Sequence, residues 1–323
     1  MDGGSAKFVA RVLCMGACAL GATAALGQAF PDKPIMLYHA YSASGTSAVT
    51  LRALADGAAK KLGKRVIVED RPGAGGVVAV TALARNSRPD GYTVGQLPQP
   101  ILRIPHIQPI NVDPLNDLVW IIRVVDYTYG LAMRADAPWK NLHEVMAYAK
   151  SNPGKVTYAT SGVGVTMHLA METLAATRGV NMLHVPHKTG AAMLTSTLSG
   201  QVDLLASAVS WAQHVESGKL RVLCVLNATR MKRWPEVPTA KDLGYDVVAS
   251  SSYGIGGPKG MDPKIVRVLH DAFKSALDDP EFLKLMERLD QVVSYLGTED
   301  YTRWAHDQYA VEKGIVERFG LKP

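Results

Sequence analysis

The sequence predicts an α/β fold in two lobes, each a mostly parallel sheet flanked by helices, with a ligand cleft between them. Three observations carry this. Short apolar strands alternate with amphipathic helices from residue 30 onwards, the pattern of sheets covered by helices. A strand, a loop of Ser, Thr and Gly, and a helix start follow one another twice, around residues 42–47 and 161–166. Two stretches, 126–130 and 250–257, read as crossovers that set a middle block apart from the two ends. They place lobe 1 at residues 30–128 plus 252–323 and lobe 2 at 129–251.

Residues 1–29 read as an export signal, with the mature chain starting at Phe30. Lys7 and Arg11 give a positive start, 12–26 is apolar and alanine-rich, and Gly27-Gln28-Ala29 is a small-x-small cleavage site. No later run is long and apolar enough to span a membrane. Cys14 and Cys18 fall in the signal. Cys224 is left alone in an apolar strand pattern, as a core thiol. The formal charge of +6 becomes +5 without Asp2, Lys7 and Arg11. The positive charges are scattered in pairs such as Lys60-Lys61, with no basic stripe interleaved with aromatics, which argues against nucleic acid. A mild positive field suits small anions.

In chain order, residues 35–41 form the first strand. Leu51, Leu54, Ala55, Ala58 and Leu62 mark one face of the next helix, with Gly63 as its stop. Residues 65–69 are a strand, 73–76 a glycine turn and 77–84 a helix. A dinucleotide fingerprint would need glycine where Val78 stands. The strand at 92–97 ends in Gln96 and Leu97, ahead of Pro98, and is expected to open on the cleft. A proline-rich irregular stretch precedes strands at 120–125 and 130–134. The helix at 141–151 has Asn141 as cap and Glu144 three residues on. Strands at 156–160, 181–186, 202–207 and 221–227 alternate with helices starting at Thr166, Ala191 and Val215. Residues 262–276, 281–289 and 299–319 are C-terminal helices.

At each of the two loops a helix start offers unpaired backbone N–H groups and the positive end of its dipole, with hydroxyls beside them. That favours an anion, and a carboxylate fits as well as a phosphate. The candidate ligand-binding residues of the first loop are Ser44, Gly45, Thr46 and Ser47. Those of the second are Ser161, Gly162, Val163, Gly164 and Thr166, with Thr166 as the expected helix cap and His168 in the first turn. Other strand ends add Gln96, Leu97, Lys188, Thr189 and Ser207, with Lys188 as a charge partner for a carboxylate. Tyr38, Tyr41, Tyr127 and Tyr129 are placed to flank an aromatic acid. No catalytic residue, metal site or cofactor is expected. His184 and His187 fall on opposite faces of a strand, and no GxSxG, HExxH, paired-cysteine or P-loop motif occurs. The serine-rich loops leave a serine hydrolase as an alternative, although no sequence feature places a base beside them.

Several segments, in this order and spacing, resemble the Bug-type periplasmic solute-binding proteins of tripartite tricarboxylate transporters. They are Phe30-Pro31-Asp32-Lys33-Pro34-Ile35, the run 66–76 (VIVEDRPGAGG), Arg88-Pro89-Asp90-Gly91-Tyr92-Thr93 and Ser161-Gly162-Val163-Gly164 with His168. Ser199-Gly200-Gln201-Val202-Asp203, the run 217–223 (SGKLRVL) and Pro235-Glu236-Val237-Pro238-Thr239 complete the set. The resemblance implies a periplasmic-binding-protein-like fold whose two lobes close on a small carboxylate. It maps the first binding loop onto residues 44–48, the second onto 161–166, and later loops onto Gln96-Leu97, Lys188-Thr189 and Ser207. This chain departs from the family pattern at Ala48, where an Asp is usual, at Thr189, inserted before Gly190, and at Val77, where an Asn is usual.

The expected function is therefore capture of a dicarboxylate, tricarboxylate or aromatic acid in the periplasm, as a monomer, for delivery to the membrane permease subunits of a tripartite transporter. A binding protein that reports its ligand to a membrane sensor is the alternative within the same chemistry.

Overall fold

The computed structural model describes residues 30–43 and 45–320; the expected signal, residues 1–29, and Ser44 lie outside the described residues. Strand β1 (Ile35–His39) buries alternate residues, Ile35, Leu37 and His39, as a strand packed on one face does. Helix α1 (Thr46–Leu62) lays Leu51, Leu54, Ala55 and Ala58 into the core. It stops at Gly63, whose φ of 65° and N–H bond to the Ala59 carbonyl make a left-handed cap. Lys60 and Lys61 occupy its last turn, where the dipole favours cations.

There follow β2 (Val66–Asp70), α2 (Val77–Asn86), β3 (Thr93–Pro98), the short α3 (Ile104–Ile107) and β4 (Leu118–Asp126). The middle block contains β5 (Tyr129–Arg134), α4 (Leu142–Ser151), β6 (Thr157–Thr160), α5 (Thr166–Ala176) and β7 (Leu183–Pro186). It continues with α6 (Gly190–Leu198), β8 (Leu204–Ala208), α7 (Ala212–Glu216) and β9 (Leu220–Val225). The chain closes with β10 (Ser252–Pro258), α8 (Pro263–Leu277), α9 (Pro280–Arg288), β11 (Val292–Leu296) and α10 (Thr298–Arg318). Asn141 caps α4 as expected, accepting from the Glu144 N–H at 3.0 Å. Helix α5 begins differently: Val165 is its cap residue and Thr166 its first helical residue.

The described strands form two sheets, ordered β11-β4-β10-β3-β1-β2 and β7-β6-β8-β5-β9. Parallel pairing joins β1 to β2 and β3, and β6 to β7 and β8. However, β10 runs antiparallel to β3 and β4, β11 to β4, and β5 to β8 and β9. The sheets are thus mixed rather than mostly parallel. The cause is the double crossing: β4 carries the chain out of the first sheet and β10 brings it back alongside, so the two must oppose each other.

Strand β10 occupies most of the stretch that reads from sequence as a return crossover. Its glycines make it look like a loop, yet all seven residues are buried. A Cβ at Gly254 would sit 2.2 Å from the Ile122 carbonyl oxygen, and one at Gly256 2.6 Å from that of Val119. Only glycine allows β4 to approach this closely. Strand β11, which the hydrophobic pattern does not single out, is a sheet edge with Val292 and Tyr295 exposed. Helices α1 and α8 cross tightly over one face of the first sheet, where a Cβ on Gly57 would meet that of Ala276 at 2.6 Å. Phe273 and Leu269 are fully buried there, and each such side chain is worth about 1.5–3 kcal/mol. Separate clusters around Met171 and Trp211 cover the two faces of the second sheet.

Candidate functional site

Helices α1 and α5 belong to different sheets, yet both N-termini open into one cleft. Neither helix carries an acidic residue in its first turn, so nothing there opposes a bound anion. Gly45, Thr46 and Ser47 line the cleft from the first loop, Ser161 and Thr166 from the second. Lys188 and Thr189 line it from the β7–α6 loop, and Ser207 from the end of β8. Thr189 also caps α6, accepting from the Ala192 N–H at 3.1 Å. Lys188 is the one Lys, Arg, Asp, Glu or His among the described lining residues.

The remaining candidates lie elsewhere. Gln96 and Leu97 are buried and outside the lining. Strand β3 reaches the cleft only beyond its end, at Pro100, while the Gln96 side chain is engaged behind the lining, accepting from the Ala40 N–H at 3.1 Å and donating to the Tyr127 hydroxyl at 3.2 Å. Gly162 and Gly164 shape the second loop through positive φ angles of 148° and 74°. A Cβ on Gly164 would stand 2.5 Å from Ile107 Cδ1. Val163 points outward, 56% exposed. His168 holds the loop from behind: its Nδ1 accepts from the Gly164 N–H at 3.1 Å, and its ring stacks on His184 at 4.1 Å. Burial lowers its pKa, so the neutral ring can accept that bond.

Several lining residues carried no signal as candidates. Pro100, Val165, Met167 and Met193 give the cleft apolar walls. Tyr41, Tyr127 and Tyr129 line it as expected for flanking aromatics, whereas Tyr38 turns away and stacks under the Arg71 guanidinium at 3.8 Å. Burial raises the pKa of all three lining tyrosines, which keeps them neutral phenols.

Behind the first loop lies an array that sequence reasoning missed. His39 Nε2 is 2.8 Å from Ser47 Oγ, and His39 Nδ1 is 2.6 Å from Asp70 Oδ1. Arg52 Nη2 donates to the other Asp70 oxygen at 2.7 Å. A base does therefore stand beside a loop serine. Its signal in the sequence is a polar residue closing each of two apolar strands, which the parallel register His39↔Asp70 brings side by side. Among the described residues, no group of three or more His, Cys, Asp or Glu could hold a metal ion.

Two mixed sheets with a cleft between them, entered by paired helix N-termini, are the architecture seen in periplasmic binding proteins. The chain matches the tripartite tricarboxylate transporter family receptor (TctC) over residues 50–321 and belongs to that family. It is 42% identical over 319 residues to the UPF0065 protein in the gbd 5′ region of Cupriavidus necator, with 97% of each chain covered. The periplasmic binding protein BugD superposes with a TM-score of 0.86 at 28% identity, covering 91% of this chain and 100% of that one. R. palustris Rpa4515, solved with adipate, shares the fold at a TM-score of 0.85 and 22% identity, covering 90% and 98%.

Proposed function

We propose that this chain is an exported receptor that captures a small carboxylate and delivers it to the membrane permease subunits of a tripartite transporter. The observation that carries this is the convergence of the α1 and α5 N-termini, one from each sheet, on one cleft whose charged lining residue is Lys188. Backbone N–H groups and the cationic side chain grip the carboxylate. In this reading residues 1–29 are the export signal, and residues 30–128 with 252–323 form one lobe and 129–251 the other. Ligand bridges the lobes and favours the closed state, with the chain bending at 126–130 and 250–254. Among the described residues no helix is long and apolar enough to cross a membrane. Adipate bound to Rpa4515 is consistent with the ligand class. A thermal-shift panel of carboxylic acids tests the reading. Ligand at 100 times its Kd adds about 2.7 kcal/mol to stability, and a wide panel with no shift rejects it.

The Asp70–His39–Ser47 array favours a second reading, a hydrolase with Ser47 as nucleophile and His39 as base. Ester turnover by the purified protein that disappears in Ser47→Ala would carry it.

A further inference from the structure

We propose a second binding site, on the far side of the chain crossover from the cleft, that takes a neutral primary carboxamide with a small apolar body. Its polar end is Asp290 and Gln291, in the turn between α9 and β11. The site stands apart from the carboxylate reading, and its failure leaves that reading untouched.

The pocket lies between this turn, which leads into the first sheet, and the loop at 227–232, which follows β9 of the second. Thr128 of the crossover also lines it. Its two neighbours, Tyr127 and Tyr129, line the cleft instead. Alternate residues of an extended chain face opposite ways, so the crossover separates the two sites. Asn227 holds the chain there, accepting from the Tyr129 N–H at 2.7 Å and donating to the Tyr127 carbonyl at 3.2 Å.

The turn presents two side chains that lack partners. The Gln291 N–H closes α9 on the Met286 carbonyl at 2.9 Å, and Asp290 takes the left-handed conformation, φ 48°, that glycine or asparagine usually fills after a helix. Arg233, just past the facing loop, ties the two walls together by donating to the Arg288 carbonyl at 3.0 Å. Gln291 is 6% exposed, yet neither its Nε2 nor its Oε1 has a hydrogen-bond partner among the described residues. Asp290 Oδ2 is buried and equally unpartnered, while Oδ1 faces the Arg233 N–H at 3.4 Å. Burial raises the Asp290 pKa against the pull of Arg233, and a donor brought by a ligand would relieve that. Buried polar groups left in this state are costly and uncommon.

The orphaned set is two acceptor oxygens and one donor group. A carboxylate brings no donor, and its charge would face Asp290 and Glu287. An ammonium brings no acceptor for Gln291 Nε2. A primary carboxamide brings both: its carbonyl and one N–H pair with the Gln291 amide, and the second N–H is left for Asp290 Oδ2. It is neutral and needs no counter-charge. Met231 and Met286, both buried, and Leu283 and Val292 at the exposed rim give apolar walls for a short alkyl or aryl body.

The test is calorimetric titration of the full mature chain with isobutyramide and benzamide, each against its N,N-dimethyl amide, followed by a crystal soaked with the tighter binder. At least one primary amide is expected to bind tenfold or more tighter than its dimethyl form, which has no N–H to give. Gln291→Leu should lose that advantage. The variant removes an unpaired buried group, so it should fold at least as stably as the wild type. Asp290→Gly suits the left-handed turn and removes only the acceptor, and should weaken the primary amide at least threefold. The soaked crystal should show the amide against Gln291. Equal binding of primary and dimethyl amides, binding of neither, or affinity untouched by both variants overturns the inference. So does a crystal with only ordered water at Gln291 or with the amide in the cleft. If Gln291→Leu fails to fold, Asp290→Gly and the crystal decide.

Discussion

Arg103 reaches from the first sheet's side of the molecule to the second, where its Nη1 donates to the Gly164 carbonyl at 3.0 Å. The bond joins the block that carries α1 to the loop that opens α5. Its guanidinium is held by Glu312 on α10, with Nη2 donating to Oε1 at 3.0 Å, and Gln99 and Gln308 donate to the same oxygen. Arg103 is 3% exposed and Glu312 fully buried. The second loop is thus positioned by a charge network in the other half of the chain.

Removing one partner of a buried pair leaves an uncompensated charge, a loss of about 3–5 kcal/mol. Glu312→Ala should lose that much in urea unfolding. The accompanying drop in affinity for any acid found in the panel reports the loosened loop. A loss below about 1 kcal/mol would show that the network contributes little to the fold.

Lys188 is exposed at the cleft rim, so its charge acts largely through solvent. Lys188→Met should lower carboxylate affinity by up to about fivefold, the range for exposed ion pairs. The wild-type affinity should fall with added salt more steeply than that of the variant. Titrations at two ionic strengths decide this, and parallel salt slopes would remove Lys188 from the recognition scheme.

His184 is half-buried and stacks on His168, and desolvation together with the neighbouring His168 and His187 lowers its pKa from 6.5 to about 3. Between those two values the unfolded chain binds the proton and the folded chain does not. Stability from this group is therefore present above about pH 6.5 and is lost as pH falls toward 3. Urea unfolding at pH 7 and pH 4.5 should show a larger acid loss in the wild type than in His184→Gln. Equal losses would mean that the histidine titrates normally in the fold.

Cys224 lies in the core with its thiol pKa pushed up to about 12 by burial. It should resist iodoacetamide in the native protein and react in urea, with the extent of alkylation following the unfolding curve. Rapid native alkylation at neutral pH would show that the second sheet opens far more readily than its packing indicates.

Much of this was legible locally. The α1 face, the Gly63 stop and the Asn141 cap are set by residues within a turn or two of one another, and each stands where its pattern places it. The glycine loops before α1 and α5 are visible for the same reason. Gln96 and Leu97 were expected at the cleft because Pro98 breaks the strand, but both are buried and Pro100, just past the strand, is the residue that lines it. The glycines of β10 resemble a loop until Ile122 and Val119 are seen to press against them.

From the amino-acid order alone one could derive the alternation of strands and helices, the paired anion-favouring loops and the family, because these depend on neighbours along the chain. The antiparallel return of β10, the bridge from Arg103 to Gly164, and the meeting of Asp70, His39 and Ser47 depend on which strands lie side by side. Hydrophobic periodicity says which face of a strand is buried but not which strand pairs with it. Only the packed sheets decided that.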